Sequence, residues 1–269
     1  MFNSIVSNLR NFAVINSPPI YVQDLKISII TVCFNAESTI ESCIASVKSQ
    51  NYTEIEYIVI DGGSTDKTIN IVNNYAHYVS HFVSEPDLGI YDAMNKGIKL
   101  ATGDIIGMLN ADDFFADNSV LSNIADDFCK YNTDIIYGDL DYINEKGIVI
   151  RKWRSGQFSR RKMEFGWMPP HPTFYCKRNL FKKLGLYSLD YGTAADYELM
   201  LRYLYVNKLT SHYLKKVIIK MKIGGKSNKS IKARVKGLFF DLKAMRNNGI
   251  GLPLIALIVK PARKITQYF

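Results

Sequence analysis

Along its first 115 residues the chain alternates short, nearly continuous apolar runs with amphipathic segments, four times over. Residues 26–34 are β-branched and almost wholly apolar, as a strand covered by helices on both faces would be. The polar stretch Asn35-Ala36-Glu37-Ser38 follows. Ser38 and Glu41 have the spacing of a capping box, and Ile40, Ile44 and Val47 recur along one helical face. The unit repeats with residues 55–60 as strand, Asp61-Gly62-Gly63-Ser64-Thr65-Asp66 as loop, and a helix carrying Ile69, Val72 and Ala76. A third strand at 78–84 leads through Glu85-Pro86-Asp87-Leu88-Gly89 into a helix with Ile90, Met94 and Ile98. The fourth, at 105–109, ends in Asn110-Ala111-Asp112-Asp113 before a helix with Val120, Ile124 and Phe128. Repeated strand-loop-helix units predict an α/β fold with a mostly parallel, doubly wound sheet, whose ligands bind at the carboxyl ends of the strands. All four polar loops fall at that edge.

Beyond residue 130 the pattern changes. Two apolar runs, 135–139 and 148–151, flank Asn144-Glu145-Lys146-Gly147 and predict an antiparallel hairpin. Pro169-Pro170-His171-Pro172 makes a rigid connection that holds a histidine in place but cannot be a central strand. A short helix at 177–184, a segment at 194–206 and a strand at 210–219 follow. Residues 221–230 combine two glycines, hydroxyls and three lysines, Lys226 among them. They suit either a loop closing over phosphates or an ordinary basic surface loop, and they lack Walker spacing. Residues 1–25 read as an irregular arm. Residues 229–269 read as basic amphipathic helices, and the uncharged stretch 250–259, too short to span a bilayer, is either an interfacial anchor or part of the core.

Charge sharpens this division. Residues 1–150 hold 8 Lys+Arg against 20 Asp+Glu, a net −12, and residues 151–269 hold 26 against 5, a net +21. The basic half asks for an anionic partner such as a phosphorylated lipid or an anionic membrane, and the acidic half argues against a nucleic-acid groove across the whole protein. Cys33, Cys43, Cys129 and Cys176 have neither disulfide-framework nor zinc-site spacing, and no signal peptide is evident, so a cytoplasmic setting is expected. The adjacent Asp112 and Asp113 either share a hard divalent cation or cap the helix that follows.

Four ordered motifs then acquire a joint meaning: residues 30–37, 60–66, 87–97 and 109–113. Together they resemble glycosyltransferase family 2, over roughly residues 26–228, with 26–115 as the nucleotide-sugar half and 116–228 as the acceptor half. His171-Pro172-Thr173 and Ala195-Asp196-Tyr197-Glu198-Leu199 look like the bacterial enzymes that build surface polysaccharides. The resemblance implies a GT-A fold, an inverting transfer from a UDP- or GDP-linked sugar, and a divalent metal, Mg2+ or Mn2+. Carried onto this chain, it implies a donor site of Thr31, Asn35, Glu37, Asp61, Gly62, Ser64, Asn95, Lys96, Asn110 and Ala111, with Asp61 reading the nucleobase. The family's Asp-X-Asp appears as Asn110-Ala111-Asp112, which leaves Asp112 as the main metal ligand, supported by Asp113. Asp196 matches the catalytic base. His171, Trp167 and Lys226 are candidates for acceptor or phosphate contacts. The acceptor is expected to be a glycan or a polyprenyl-diphosphate-linked sugar at the inner face of the membrane. Two alternatives stand beside this reading: a non-catalytic nucleotide- or carbohydrate-binding domain of the same fold, and a sugar-phosphate nucleotidyltransferase, although the Gly-rich loop of the latter is absent. A dinucleotide-binding turn is missing from the first strand.

Overall fold

The computed structural model describes residues 25–222, 231–262 and 267. Lys226 and the greater part of the loop around it lie outside the described residues, as does the arm 1–24. The first half is built from β1 (Ile27–Cys33), α1 (Ile40–Lys48), β2 (Ile55–Asp61), α2 (Thr68–Asn73), β3 (His81–Ser84), α3 (Ile90–Leu100), β4 (Ile105–Met108), β5 (Asp113–Phe115) and α4 (Val120–Tyr131). The second half adds β6 (Ile135–Ile143), β7 (Val149–Trp153), α5 (Arg160–Glu164), β8 (Tyr175–Lys177), α6 (Asn179–Leu184), α7 (Ala195–Met200), β9 (Ser211–Lys222), α8 (Ile231–Asn247) and α9 (Pro253–Ala262). Among the described residues the strands form one sheet in the order β3-β2-β1-β4-β8-β6-β9-β5, with β7 paired to β6.

From β3 to β4 every pairing is parallel, as the strand-helix repeat requires. Beyond β4 the sheet becomes mixed, because β8 enters antiparallel between β4 and β6, right after the Pro-rich connection. Helices cover both faces. One core joins α1, α2 and α4 to the sheet through Ile40, Val47, Val72 and Ile124, and the other joins α3, α6 and α7 through Met94, Ile98, Phe181 and Leu199. Strand β1 is buried throughout, and its near-continuous apolar composition is the direct consequence.

Three local expectations are corrected. The capping box at Ser38 does not form: α1 starts at Ile40 with Thr39 before it and no side-chain cap, and Glu41 instead accepts a hydrogen bond from the Tyr75 hydroxyl at 3.1 Å. The third strand starts at His81, because Tyr78 and Val79 close a turn onto the Tyr75 carbonyl. Asp112 and Asp113 cap no helix: Asp113 opens β5, and Asp117 receives the Ser119 amide at 2.9 Å ahead of α4.

Candidate active site

Strand register brings the first components together. Cys33 pairs with Asp61, and Asp61 pairs with Ser84, so the carboxyl ends of β1, β2 and β3 lie side by side. The loops leaving β1 and β2 are then laced to each other. Asn35, with φ +48°, donates its amide to Ser64 Oγ at 2.7 Å and accepts the Thr65 amide on Oδ1 at 2.9 Å. The Glu37 amide donates to Asp66 at 3.1 Å, and its carboxylate accepts the Lys67 amide at 3.0 Å. Asn35, Glu37 and Ser64 therefore hold the two loops together at this edge.

Asp61 is fully buried and has no oxygen to spare. Oδ2 accepts the amides of Gly63 (3.1 Å) and Ser64 (2.9 Å) and the Ser84 hydroxyl (2.7 Å), while Oδ1 accepts the Ser64 hydroxyl and the Cys33 thiol. Burial alone would raise its pKa, but these donors overcome it and hold the carboxyl below its ordinary value. The carboxylate that faces the same edge with an oxygen to offer belongs to Asp87. Its Oδ1 accepts the Gly89 amide at 2.7 Å, and its Oδ2 lies against Gly62, where an added Cβ would come within 2.5 Å of it and within 3.6 Å of the Phe34 ring. Gly62 is the residue that admits this carboxylate.

Two other expected donor residues are engaged within the protein. Thr31 is fully buried and accepts the Tyr57 hydroxyl at 3.1 Å beneath the sheet. Asn95 uses both ends of its amide on the backbone of Tyr187, donating to the carbonyl at 2.8 Å and accepting the amide at 3.0 Å, so it joins α3 to the second half. Lys96 donates to Pro86 O at 2.9 Å and pairs with Glu85 at 2.8 Å, which ties down the loop that carries Asp87.

At the end of β4, Asn110 and Asp112 are half-buried and Ala111 and Asp113 are buried. Asn110 Nδ2 donates to Asp113 Oδ2 at 3.0 Å, and Asn110 Oδ1 and Asp113 Oδ1 are without hydrogen-bond partners. Burial first, and the negative charge of Asp112 second, push the Asp113 carboxyl well above its ordinary value. Asp113 thus supports Asn110 through its hydrogen bond. The oxygens of Asp112 and the unsatisfied Asn110 Oδ1 are the hard donors that Mg2+ or Mn2+ takes, so these residues fit a divalent cation. No group of three or more His, Cys, Asp or Glu side chains suited to a metal occurs among the described residues.

The second half closes the site with an aromatic cluster. Asp196 lies in the first turn of α7, where Oδ1 accepts the Tyr197 amide at 2.7 Å. His171 Nε2 and the Tyr187 hydroxyl share a hydrogen bond of 2.8 Å, and the Tyr187 ring packs 5.5 Å from that of Tyr91. Burial holds the His171 pKa below its ordinary value against the opposing pull of Asp196, so the imidazole is neutral at pH 7. Burial, then Asp196, pushes the Tyr91 hydroxyl up. Asp196 is therefore electrostatically coupled to Tyr91, Tyr187 and His171 at once. Trp167 is core: its Nε1 donates to Ser155 O at 2.9 Å and its ring meets Tyr137 edge-on at 5.8 Å. Asp87, Tyr91 and Tyr187 escaped individual notice in the sequence. The first two sit inside the third motif, and nothing local to Tyr187 marks it.

A parallel first half and a mixed second half covered by helices on both faces are those of a GT-A fold. Solved structures agree. TarS 1–349 of S. aureus in complex with UDP superposes with a TM-score of 0.66 at 19% identity, covering 90% of this chain and 72% of that one. A mannosyltransferase of Pyrobaculum calidifontis in complex with GDP-Man and Mn2+ gives 0.63 at 17% identity, covering 88% and 73%. Residues 28–191 match the profile of Glycosyl transferase family 2, and the chain belongs to that family. A PGL/p-HBAD biosynthesis glycosyltransferase of Mycobacterium bovis is 28% identical over 88% of this chain and 91% of its own length. An uncharacterized glycosyltransferase of Mycobacterium tuberculosis is 33% identical over 65% and 68%. Asp196 falls five residues beyond the matched profile.

Proposed function

We propose that this glycosyltransferase catalyses inverting transfer of a sugar from a UDP- or GDP-linked donor to a hydroxyl of a glycan or polyprenyl-diphosphate-linked acceptor in bacterial surface-polysaccharide assembly, at the inner face of the membrane. The observation that carries this reading is that α7, with Asp196 in its first turn, starts beside Tyr91, whose hydroxyl lies 3.5 Å from Thr193 O. Tyr91 itself stands at the start of α3, immediately after the loop that presents Asp87. A carboxylate so placed takes the proton of the attacking hydroxyl as the new bond forms at the anomeric carbon, while the bond to the β-phosphate breaks on the opposite face. Asp112 and Asn110 would hold a divalent cation, with Asp113 supporting Asn110, and such a cation when bound neutralises the charge of the departing diphosphate. Asp87, not Asp61, reads the nucleobase in this account, because every Asp61 oxygen is already engaged within the protein. Neighbour complexes with UDP, UDP-GlcNAc and GDP-Man support the donor class.

A thermal-shift screen of nucleotide sugars with Mg2+ or Mn2+ tests the donor site. Ligand at about 100 times its Kd adds roughly 2.7 kcal/mol of stability. The cognate donor is expected to stabilise the protein only with metal present, and Asp112→Ala is expected to remove that metal dependence; stabilisation by no donor would favour a non-catalytic domain. Asp87→Ala is expected to weaken UDP or GDP binding by about tenfold, the worth of one charge-assisted hydrogen bond, as read by calorimetry. An unchanged Kd would return the base to another residue.

No helix among the described residues is long and apolar enough to cross a membrane. The proposed surface attachment is supported by α8 and α9. Helix α9 docks through Ala256 and through Lys260, which pairs with Asp241 at 2.7 Å, yet it leaves Leu254, Ile255 and Ile258 exposed. Deletion of residues 250–269 is expected to abolish sedimentation with anionic vesicles, and undiminished sedimentation would refute the attachment.

A further inference from the structure

Ahead of α7 the protein carries a cavity of about 430 Å³, walled by Leu88, Ile90 and Tyr91 on one side, Leu189, Gly192 and Thr193 on another, and Lys236 and Phe240 of α8 on the third. Its size is that of a small-molecule site. The lining is what a solvated surface avoids. Leu88 is 84% exposed, Ile90 49% and Leu189 42%, so three large apolar side chains from two segments border one hollow without covering one another. Gly192, at φ +46°, lets the Phe240 ring approach so closely that a Cβ there would lie 2.4 Å from it, which sets an aromatic wall. Tyr91 is shared: its ring lines the cavity and its hydroxyl lies 3.5 Å from Thr193 O, one turn before Asp196. Lys236 brings the cation of the lining, its Nζ 5.7 Å from the centre of the Phe240 ring.

A sugar-only acceptor could stack on the Tyr91 and Phe240 rings but would leave Leu88, Ile90 and Leu189 unused, because its hydroxyls need polar partners. The loop that carries Asp87 also supplies Leu88 and Gly89 to this cavity, so a donor held at Asp87 would adjoin an acceptor seated here. We infer that the cavity between the α3 start, the Leu189–Ala194 turn and α8 is the acceptor subsite for an apolar aglycone bearing an acidic group, seated by Leu88, Ile90, Leu189 and Phe240 and paired through that group to Lys236. This rests on Asp196 being the base, and it adds the acceptor class: an amphiphile whose accepting hydroxyl lies within a residue or two of its apolar part, in preference to a free glycan chain. The acidic group is a phosphate or a carboxylate, and both would pair with one ammonium.

The test uses the full chain and four probes below their micelle concentrations: octyl phosphate, octanoate, 1-octanol and inorganic phosphate, with binding read by calorimetry. Octyl phosphate is expected to bind at least tenfold more tightly than inorganic phosphate, and comparison with octanoate distinguishes the two acids. Leu88→Ser and Leu189→Ser alter exposed positions and leave folding intact; each is expected to weaken octyl phosphate at least fivefold. Lys236→Glu is expected to weaken octyl phosphate and octanoate but not 1-octanol. Ile258→Ser, on the exposed face of α9, is the control for unspecific apolar binding and is expected to change nothing. Equal loss in Ile258→Ser, or unchanged affinity in both leucine variants, overturns the inference. Asp196→Asn separates the two layers. If that variant transfers sugar normally while the leucine variants still lose octyl phosphate, the base assignment fails and the cavity stands; if Asp196→Asn is inactive and the leucine variants bind normally, the reverse holds.

Discussion

Asp196→Asn is expected to lower sugar transfer by about 10²–10⁴-fold, the usual contribution of a positioned general base, while nucleotide affinity stays within about twofold. The amide is isosteric and keeps an oxygen for the Tyr197 amide that Asp196 now receives at 2.7 Å, so the start of α7 is preserved. What disappears is the ability to take a proton. Single-turnover transfer alongside UDP calorimetry separates the two effects: a drop in transfer with unchanged Kd identifies a transition-state role. Transfer within threefold of the parent, about 0.6 kcal/mol by the same relation, would remove Asp196 from the chemistry. His171 is a positioning residue in this scheme, since it meets Tyr187 and not a reacting atom.

A second large effect concerns stability, at the end of the sheet opposite the site. Glu56 is 3% exposed and gathers the Ser28 hydroxyl (2.6 Å), the Thr102 amide (2.7 Å) and hydroxyl (2.6 Å), and the Lys26 ammonium (3.2 Å). Burial acts to raise its pKa, but the donors outweigh it and lower the carboxyl from 4.5 to about 2. A depressed carboxylate contributes stability that is complete above its unfolded value and is lost as the pH falls toward the folded one. The expected outcome is a loss of about 3 kcal/mol between pH 4.5 and about 2, seen as a falling urea midpoint. Glu56→Gln flattens that limb, and Glu56→Ala costs about 3 kcal/mol at pH 7 because the Ser28 and Thr102 donors lose their acceptor. An identical pH limb in Glu56→Gln would mean that another group governs it.

The parallel half of the fold was legible along the chain because its information is local. β1 and β2 read as apolar runs, the loops after them as polar, and the helices as periodic, and each of these follows from which face is buried. The hairpin of β6 and β7 was legible for the same reason. The family followed from the order of the motifs. The direction in which each motif residue points was not legible. Asp61 and Asp87 are both carboxylates near strand ends, and only the register of Cys33, Asp61 and Ser84 shows that the first is consumed by its neighbours. Asn95 and Thr31 look equally polar in sequence, yet one clamps Tyr187 and the other lies beneath the sheet.

The sequence by itself therefore determined the α/β class, the order of strands, loops and helices in the parallel half and the acidic and basic halves, because patterning and charge are properties of short segments. Tertiary structure alone decided that Asp87 stands over Gly62, that Asp113 supports Asn110, and that Tyr91, Tyr187, His171 and Asp196 form one cluster. Those contacts join residues as far as 105 positions apart, and a hydrogen bond between such partners depends on packing across the sheet, which no local pattern encodes.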